Sequence, residues 1–301
     1  MFRQFKTTVQ ALSLILLVSA SSPLQASNSS KDSFLATLSS SEVADGTLVL
    51  VTIKTPPKTL ADAVSVTFEK TIYPVYALGE TEQESSFRAV IAVPFNLKPS
   101  DAKVEVRLGK SIEAQSLSLP IKIVDGHYKS EILKVGGKFT NPKKKDLAFI
   151  KKDIAEVAAI YRKITPVKYW TGPFAYPVDS AMTSPFGTKR VFNGEMKSFH
   201  QGLDLRAKVG TPIYAAAPGV IALARDMFFT GNTILIDHGY GIYTLYAHMS
   251  ALKVAKGQQV GQKELIGLAG KTGRASGPHL HWGAIVNKNK VNPTDLIQVL
   301  K

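Results

Sequence analysis

From residue 34 to about 125 the chain is written in short apolar and β-branched runs separated by Gly, Pro and Asp breakers. Such a pattern permits layered sheet and little else, because alternate residues of each run share a face that must be buried. Thr47 to Ile53 is a continuous apolar and β-branched run, as for a buried strand, and Phe87 to Val93 is another. Val64, Val66 and Phe68 alternate with polar residues, as do Val104, Val106 and Leu108, then Leu117 and Leu119. Asp45-Gly46, Pro56-Pro57, Leu78-Gly79, Pro94 and Leu108-Gly109 punctuate them. About seven strands at this spacing predict an Ig-like β-sandwich over residues 34–125. Nothing in it carries chemistry, so it reads as an accessory domain. His127, in Asp125-Gly126-His127, reads as a turn residue with no partner at metal-ligand spacing.

Residues 141–163 change character. Asn141 can cap a helix, Pro142 suits its first position, and Leu147, Ile150, Ile154, Val157, Ala158 and Tyr161 follow a helical stripe. The lysines at 143–145, 151 and 152 read as a solvated face, with contact to an acidic polymer as the alternative. This linker helix leads into a glycine-rich, strand-patterned domain over residues 170–301. There, residues 232–236 and 242–246 form a hairpin joined through His238-Gly239-Tyr240-Gly241. The overall expectation is a mainly β chain: sandwich, helix, antiparallel β domain.

The N-terminus points outward. Arg3 and Lys6 precede a short apolar core, and small residues lead to Leu24-Gln25-Ala26. This is the pattern of a signal peptide, residues 1–26, followed by a polar linker, 27–33. No later stretch is long and apolar enough to span a bilayer. The formal charge of +14 suits a polyanion. Export argues against nucleic acid and for an acidic wall polymer. The expected product is a monomer with no membrane span after signal cleavage, acting in the periplasm or cell wall. There are no cysteines, so any metal must be held by His, Asp or Glu.

Five of the six histidines fall after residue 199. His279 and His281 stand two apart, so an extended chain points both to one face. His200 and Asp204 stand four apart in Phe199-His200-Gln201-Gly202-Leu203-Asp204, and His248 lies between these pieces in Tyr246-Ala247-His248-Met249. A catalytic zinc keeps three protein ligands and leaves a position for water. His200, Asp204 and His281 could supply two imidazoles and one carboxylate, leaving the centre net positive. His238, beside the hairpin turn, reads as structural. Met227-Phe228-Phe229 reads as a loop that either walls a groove or packs.

These segments, with Ser184-Pro185-Phe186-Gly187, Gly210-Thr211-Pro212-Ile213-Tyr214-Ala215, Ile236-Asp237-His238-Gly239 and Thr272-Gly273-Arg274-Ala275-Ser276-Gly277-Pro278-His279-Leu280-His281, resemble the lysostaphin-type, LytM-like zinc metallo-endopeptidases of bacterial cell walls. The resemblance covers over a third of the chain. It implies a LytM-like fold for the C-terminal domain and one Zn2+ per chain held by His200, Asp204 and His281. It implies His248 and His279 as the catalytic pair. It also implies an exported endopeptidase that hydrolyses peptide cross-links of peptidoglycan by zinc-activated water. The alternative is a catalytically silent relative that binds wall or activates an amidase. Two departures stand out: Trp282 is followed by Gly283 where many members have glutamate, and no tyrosine lies between Tyr176 and Tyr214 to steady an oxyanion. The accessory region is expected to steer access and take no part in the chemistry.

Overall fold

The computed structural model describes residues 34–111, 113–133, 142–192 and 196–300. The expected signal peptide, the linker at 27–33 and Asn141 lie outside the described residues. Among the described residues the N-terminal half holds nine strands: β1 (Leu35–Leu38), β2 (Glu42–Ala44), β3 (Leu48–Thr55), β4 (Val64–Phe68), β5 (Thr71–Tyr73), β6 (Val75–Glu80), β7 (Ser85–Ala92), β8 (Ser100–Leu108) and β9 (Gln115–Val124). After β10 (Ser130–Leu133) comes helix α1 (Lys144–Arg162). Then follow β11 (Met182–Ser184), β12 (Lys189–Phe192), β13 (Met196–Phe199), β14 (Leu203–Arg206), β15 (Pro212–Tyr214), β16 (Gly219–Met227), β17 (Gly231–Gly239) and β18 (Ile242–Met249). The chain closes with β19 (Ala251–Leu252), β20 (Gln259–Val260), β21 (Leu265–Leu268), β22 (His279–Val286), β23 (Asn289–Val291) and helix α2 (Pro293–Val299).

Two sheets build the N-terminal half, in the orders β1-β3-β7-β6 and β2-β9-β8-β4-β5. Val49, Val51, Ile53, Phe87, Ala89 and Ile91 from one, and Val66, Phe68, Val104, Val106, Ile121 and Ile123 from the other, are buried in one core. Every second residue of each strand contributes, as the pleat requires. The continuous run in β3 has a different cause. Its second face is covered too, because β3 meets α2 and β7 meets β22 and β23. The sheet is thus buried on both sides, and a strand so placed has no polar face.

The main C-terminal sheet runs β11-β14-β22-β18-β17-β16-β20, with β23 added on β22. All its pairings are antiparallel. Tyr240 and Gly241, both at positive φ, make the two-residue turn between β17 and β18. That is the primed-turn geometry matching strand twist. A parallel pair joins β10 to β12, so the chain just past the first half already belongs to a sheet of the second.

Helix α1 is shorter than the expected 141–163. Lys143 occupies its N-cap position without a side-chain cap bond, so Pro142 lies before the helix and not at its first turn. Its apolar stripe is only partly covered: Ile150 and Tyr161 are buried, whereas Leu147 is 44% and Ile154 62% exposed. Tyr161 packs with Leu223, Met227, Leu235, Tyr243 and Ile285 in a second core, on one face of the main sheet. Arg225 ties the helix to β16 through Asp153 at 2.8 Å and Glu156 at 2.7 Å. No described helix is long and apolar enough to cross a membrane.

The two halves meet through backbone groups. Asn292 donates its N–H to Gly46 O (2.8 Å), Asn287 Nδ2 donates to Ile72 O (3.0 Å), and Leu48 N–H donates to Asp295 Oδ2 (3.1 Å). Burial pushes the Asp295 carboxyl up to about 6, against the opposing pull of bonds from Leu48 and Thr294. The folded chain then holds this proton more tightly than the unfolded chain, whose carboxyl titrates near pH 3.9. Stability therefore falls as pH rises from about 4 to 6. Asp295→Asn removes that slope while keeping an acceptor for Leu48. It should match the native chain near pH 4 and exceed it at pH 7 by at most about 3 kcal/mol. Urea unfolding at the two pH values checks this; an equal gap at both would show that the carboxyl titrates normally.

Candidate active site

Strand register brings the acidic and one imidazole ligand candidate together. On β22, His281 lies opposite Asp204 of β14 and opposite Ala247 of β18. Lateral neighbours share a face, so Asp204 and His281 project side by side. Leu280, Trp282 and Ala284 go the other way, into the main core. His200 arrives from the loop before β14. His200 Nε2, Asp204 Oδ1 and His281 Nδ1 form a triangle with sides of 2.9, 2.9 and 3.0 Å. A tetrahedral zinc with arms of about 2.0–2.1 Å sets its ligand atoms roughly 3.3–3.4 Å apart. The triangle needs to open by only a few tenths of an ångström to fit one.

The protonation states suit ligation. His200 Nδ1 donates to Pro185 O (2.9 Å), which leaves the Nε2 lone pair for a metal. Burial first, and the neighbouring charge of His200 and Arg190, pull His281 down to about 4 despite Asp204 beside it. It is therefore neutral at pH 7, as a ligand must be. Burial by itself would raise Asp204; the hydrogen bonds and charge of His200 and His281, when those rings are protonated, hold it well below the ordinary carboxylate range. Gly202 is required by close approach: a Cβ there would sit 2.5 Å from Trp282 O and 2.8 Å from His281 Nε2.

His279 shares the face of His281, but its Nε2 lies 3.6 Å from Asp204 Oδ1, farther out than the triangle atoms. Its Nδ1 donates to Gly277 O (2.9 Å). His248 reaches the same face by an irregularity. Ala247 opposes His281, so strict alternation would turn His248 away. The β17–β18 register shifts between Asn232 and Ile234, and His248 sits at φ +63°. This left-handed residue swings the ring round to lie 4.8 Å from that of His279. Non-glycine residues pay for such backbone conformations, which cluster at functional sites. His248 Nδ1 donates to Thr272 O (2.8 Å). Burial, then repulsion from His279 and His281, lowers His248 to about 3.

Two other histidines stand apart. His238 is fully buried, with Nδ1 at 2.7 Å from Pro218 O and Nε2 at 2.7 Å from Thr244 Oγ1. His127 is an exposed turn residue at φ +50° whose N–H bonds to Asp125 Oδ1. Neither approaches the triangle.

Arg190 was not legible as a site residue. It comes from β12, and its Nη2 donates to Asp204 Oδ2 (2.5 Å) and Ser184 Oγ (3.1 Å). It holds the carboxylate oxygen that faces away from the triangle. The N-terminal half also supports the site. Phe95 packs edge-on against Phe186 (5.3 Å) and Phe199 (5.1 Å), which flank Pro185 and His200.

A groove of about 730 Å³ opens over the triangle. Arg190, Ser198, Gln201, Arg274, Ser276 and Pro278 line it, and Ile150, Ile154, Val157 and Tyr161 of α1 line it as well. Met227 and Phe229 reach the groove, while Phe228 turns in against Phe149 and donates its N–H to Asp153 Oδ2. The 227–229 segment therefore both walls the groove and packs.

Comparison with known proteins falls on this region. Residues 198–293 match Peptidase family M23. The chain is 40% identical over 120 residues to the peptidoglycan DD-endopeptidase ShyA of Vibrio cholerae, covering 39% of this chain and 28% of that protein. It is 41% identical over 119 residues to the DD-carboxypeptidase/endopeptidase Mpg of Neisseria meningitidis, covering 40% and 27% respectively. The matches thus span under a third of either relative. A solved structure from Pseudomonas aeruginosa, described as an inferred M23 peptidase, superposes with a TM-score of 0.62 at 28% identity. That likeness covers 84% of this chain and 94% of the other, so it extends beyond the peptidase region.

Proposed function

We propose, from the premise that residues 198–293 form a Peptidase family M23 domain, that this chain is an exported zinc endopeptidase that hydrolyses peptide cross-links of peptidoglycan. The observation that carries the reading is the convergence of His200 Nε2, Asp204 Oδ1 and His281 Nδ1, with His248 and His279 alongside, on the floor of an open groove. All five residues are present, which disfavours a silent wall-binding relative. The names of ShyA and Mpg support the substrate class.

His200, Asp204 and His281 would hold zinc, which when bound supplies a Lewis acid and lowers the pKa of water to about 7. The protein's own groups do the rest. Pro185 O and Arg190 fix the orientations of His200 and Asp204. Thr272 O and Gly277 O hold the Nδ1–H tautomers of His248 and His279, leaving each Nε2 for the reaction. One Nε2 takes the proton of the attacking water and returns it to the leaving amine. The other can stabilise the developing oxyanion in place of the missing tyrosine only once its Nε2 also carries a proton, which burial withholds from His248 and so leaves to His279. The N-terminal sheets act as an accessory domain, and α1, as the link between the halves, narrows the groove without touching the proton path.

Purified sacculi incubated with the zinc-loaded protein should lose cross-linked muropeptide dimers and gain monomers, read by mass spectrometry of the released fragments. Chelation should stop this, and added zinc should restore it. Dimers that persist unchanged with zinc-replete protein would overturn the proposal.

A further inference from the structure

His248 is the extra residue of a bulge. Between the pairs Asn232–Met249 and Ile234–Tyr246, β17 has one residue, Thr233, and β18 has two, Ala247 and His248. Three hydrogen bonds hold that bulge. His248 N–H donates to Thr230 O (2.8 Å), in the β16–β17 turn. The ring Nδ1 donates to Thr272 O (2.8 Å). Met249 O, on the next residue, accepts from Thr272 Oγ1 (2.8 Å). Thr272 thus supplies two of the three, one from its carbonyl and one from its hydroxyl.

The same hydroxyl also accepts from Asn232 N–H (3.0 Å), and Asn232 is the register partner of Met249. A threonine hydroxyl is both donor and acceptor, and here one hydroxyl bridges both strands at the pair that closes the bulge. Two glycines allow the close approach. A Cβ on Gly231 would lie 2.2 Å from Thr272 Oγ1, and one on Gly273 would lie 2.4 Å from Gly231 N. Arg274 N–H donates to Phe229 O (2.8 Å) and fastens the loop just beyond. Among the described residues, His248 and His279 line the groove and Thr272 does not. Thr272 therefore stands behind the ring, where it meets His248 and not a ligand in the groove.

We infer that Thr272 is a positioning residue of the site: its hydroxyl keeps the strands bulged at His248, and its carbonyl aims the ring into the groove. The inference rests on the acid–base role given to His248 above. Without the hydroxyl, Asn232 N–H and Met249 O lose their common partner. The two strands can then close towards regular pairing, and alternation turns His248 off the groove face.

Thr272→Val replaces the hydroxyl by a methyl group of similar size. In the full zinc-loaded chain it should lower kcat on cross-linked muropeptide dimers by ~10²-fold, the scale of a reacting group misplaced by about 1 Å. Zinc content and KM should not change, since the lost interaction acts only in the chemical step. Thr272→Ser keeps the hydroxyl and should recover most of the loss. Adding Thr272→Val to His248→Ala should lower turnover no further, because residues that act as one unit are not additive. A threonine that served stability alone would multiply the two losses. Heteronuclear NMR of the histidine rings reads the same contact without turnover. The native chain should show a slowly exchanging Nδ1 proton on His248. Thr272→Val should shift or lose it, while the Nδ1 proton of His238, bonded to Pro218 O at 2.7 Å, stays in place. Unchanged kcat in Thr272→Val, multiplied losses in the double variant, or no protected His248 Nδ1 proton in the native chain would each overturn the assignment. The last decides it even if a variant fails to fold. The expected NMR change, with no dimer cleaved by the native chain, would sink the peptidase reading and leave the hold of Thr272 on His248 standing.

Discussion

His281→Ala should emerge from purification without zinc and without activity. His281 Nδ1 is 2.9 Å from Asp204 Oδ1 and 3.0 Å from His200 Nε2, so it closes the triangle and no neighbouring group can replace it there. His279 Nε2 is the nearest substitute, at 3.6 Å from Asp204 Oδ1, but its ring is held by the bond to Gly277 O. Zinc affinity of roughly 10–16 kcal/mol shared over a full ligand set assigns a single ligand about 3 kcal/mol, or ~100-fold or more in affinity. Equilibrium dialysis against buffered zinc should register that loss. Circular dichroism should show the sheet retained, because His281 is a partly exposed residue on the groove face and Trp282 still fills the core. A folded His281→Ala that binds zinc like the native chain would refute its role as a ligand.

His279→Ala should behave in the opposite way: near-stoichiometric zinc with turnover reduced by ~10²–10⁴-fold, the scale of a removed acid–base group. A tetrahedral centre with His200, Asp204 and His281 keeps its fourth position for water only if His279 stays out. The longer distance from His279 to Asp204 fits that division of labour. His248→Ala should resemble His279→Ala, with zinc retained and kcat lowered. Its ring lies tilted 4.8 Å from that of His279 and edge-on 6.0 Å from that of His281, beside the triangle and not part of it. Removing it also frees a non-glycine residue from φ +63° only if glycine replaces it. His248→Gly should therefore be more stable than His248→Ala, at equal loss of turnover. Zinc-free but folded His279→Ala protein would reverse the assignment of the two histidines on β22.

The sequence by itself determined that the chain is mainly β and which residues to seek for the candidate site. Period-two runs in β4, β8 and β9 announce strands because burial of one face is a local consequence of alternation. The spacing of His279 and His281 announces a shared face for the same reason. His200 and Asp204 lie in one short segment, and Gly202 between them already disfavours a helix. These are short-range facts, and a linear pattern carries them.

What only the tertiary structure decided depends on which strands become neighbours. The pairing of Asp204 with His281 is a matter of register between β14 and β22, 77 residues apart. His248 would be placed on the wrong face by alternation; a register shift and one left-handed residue correct it, and neither leaves a mark in the residue types. The continuous run of β3 signals burial on two faces but not that α2 supplies the second cover. The stripe of α1 predicts a packed helix, yet the helix lies along a groove, so much of the stripe meets open space. Arg190 and Phe95 carry no motif. They act on Asp204 and on the segments around His200 from other parts of the chain, and contact between distant segments is set by the packing of whole sheets.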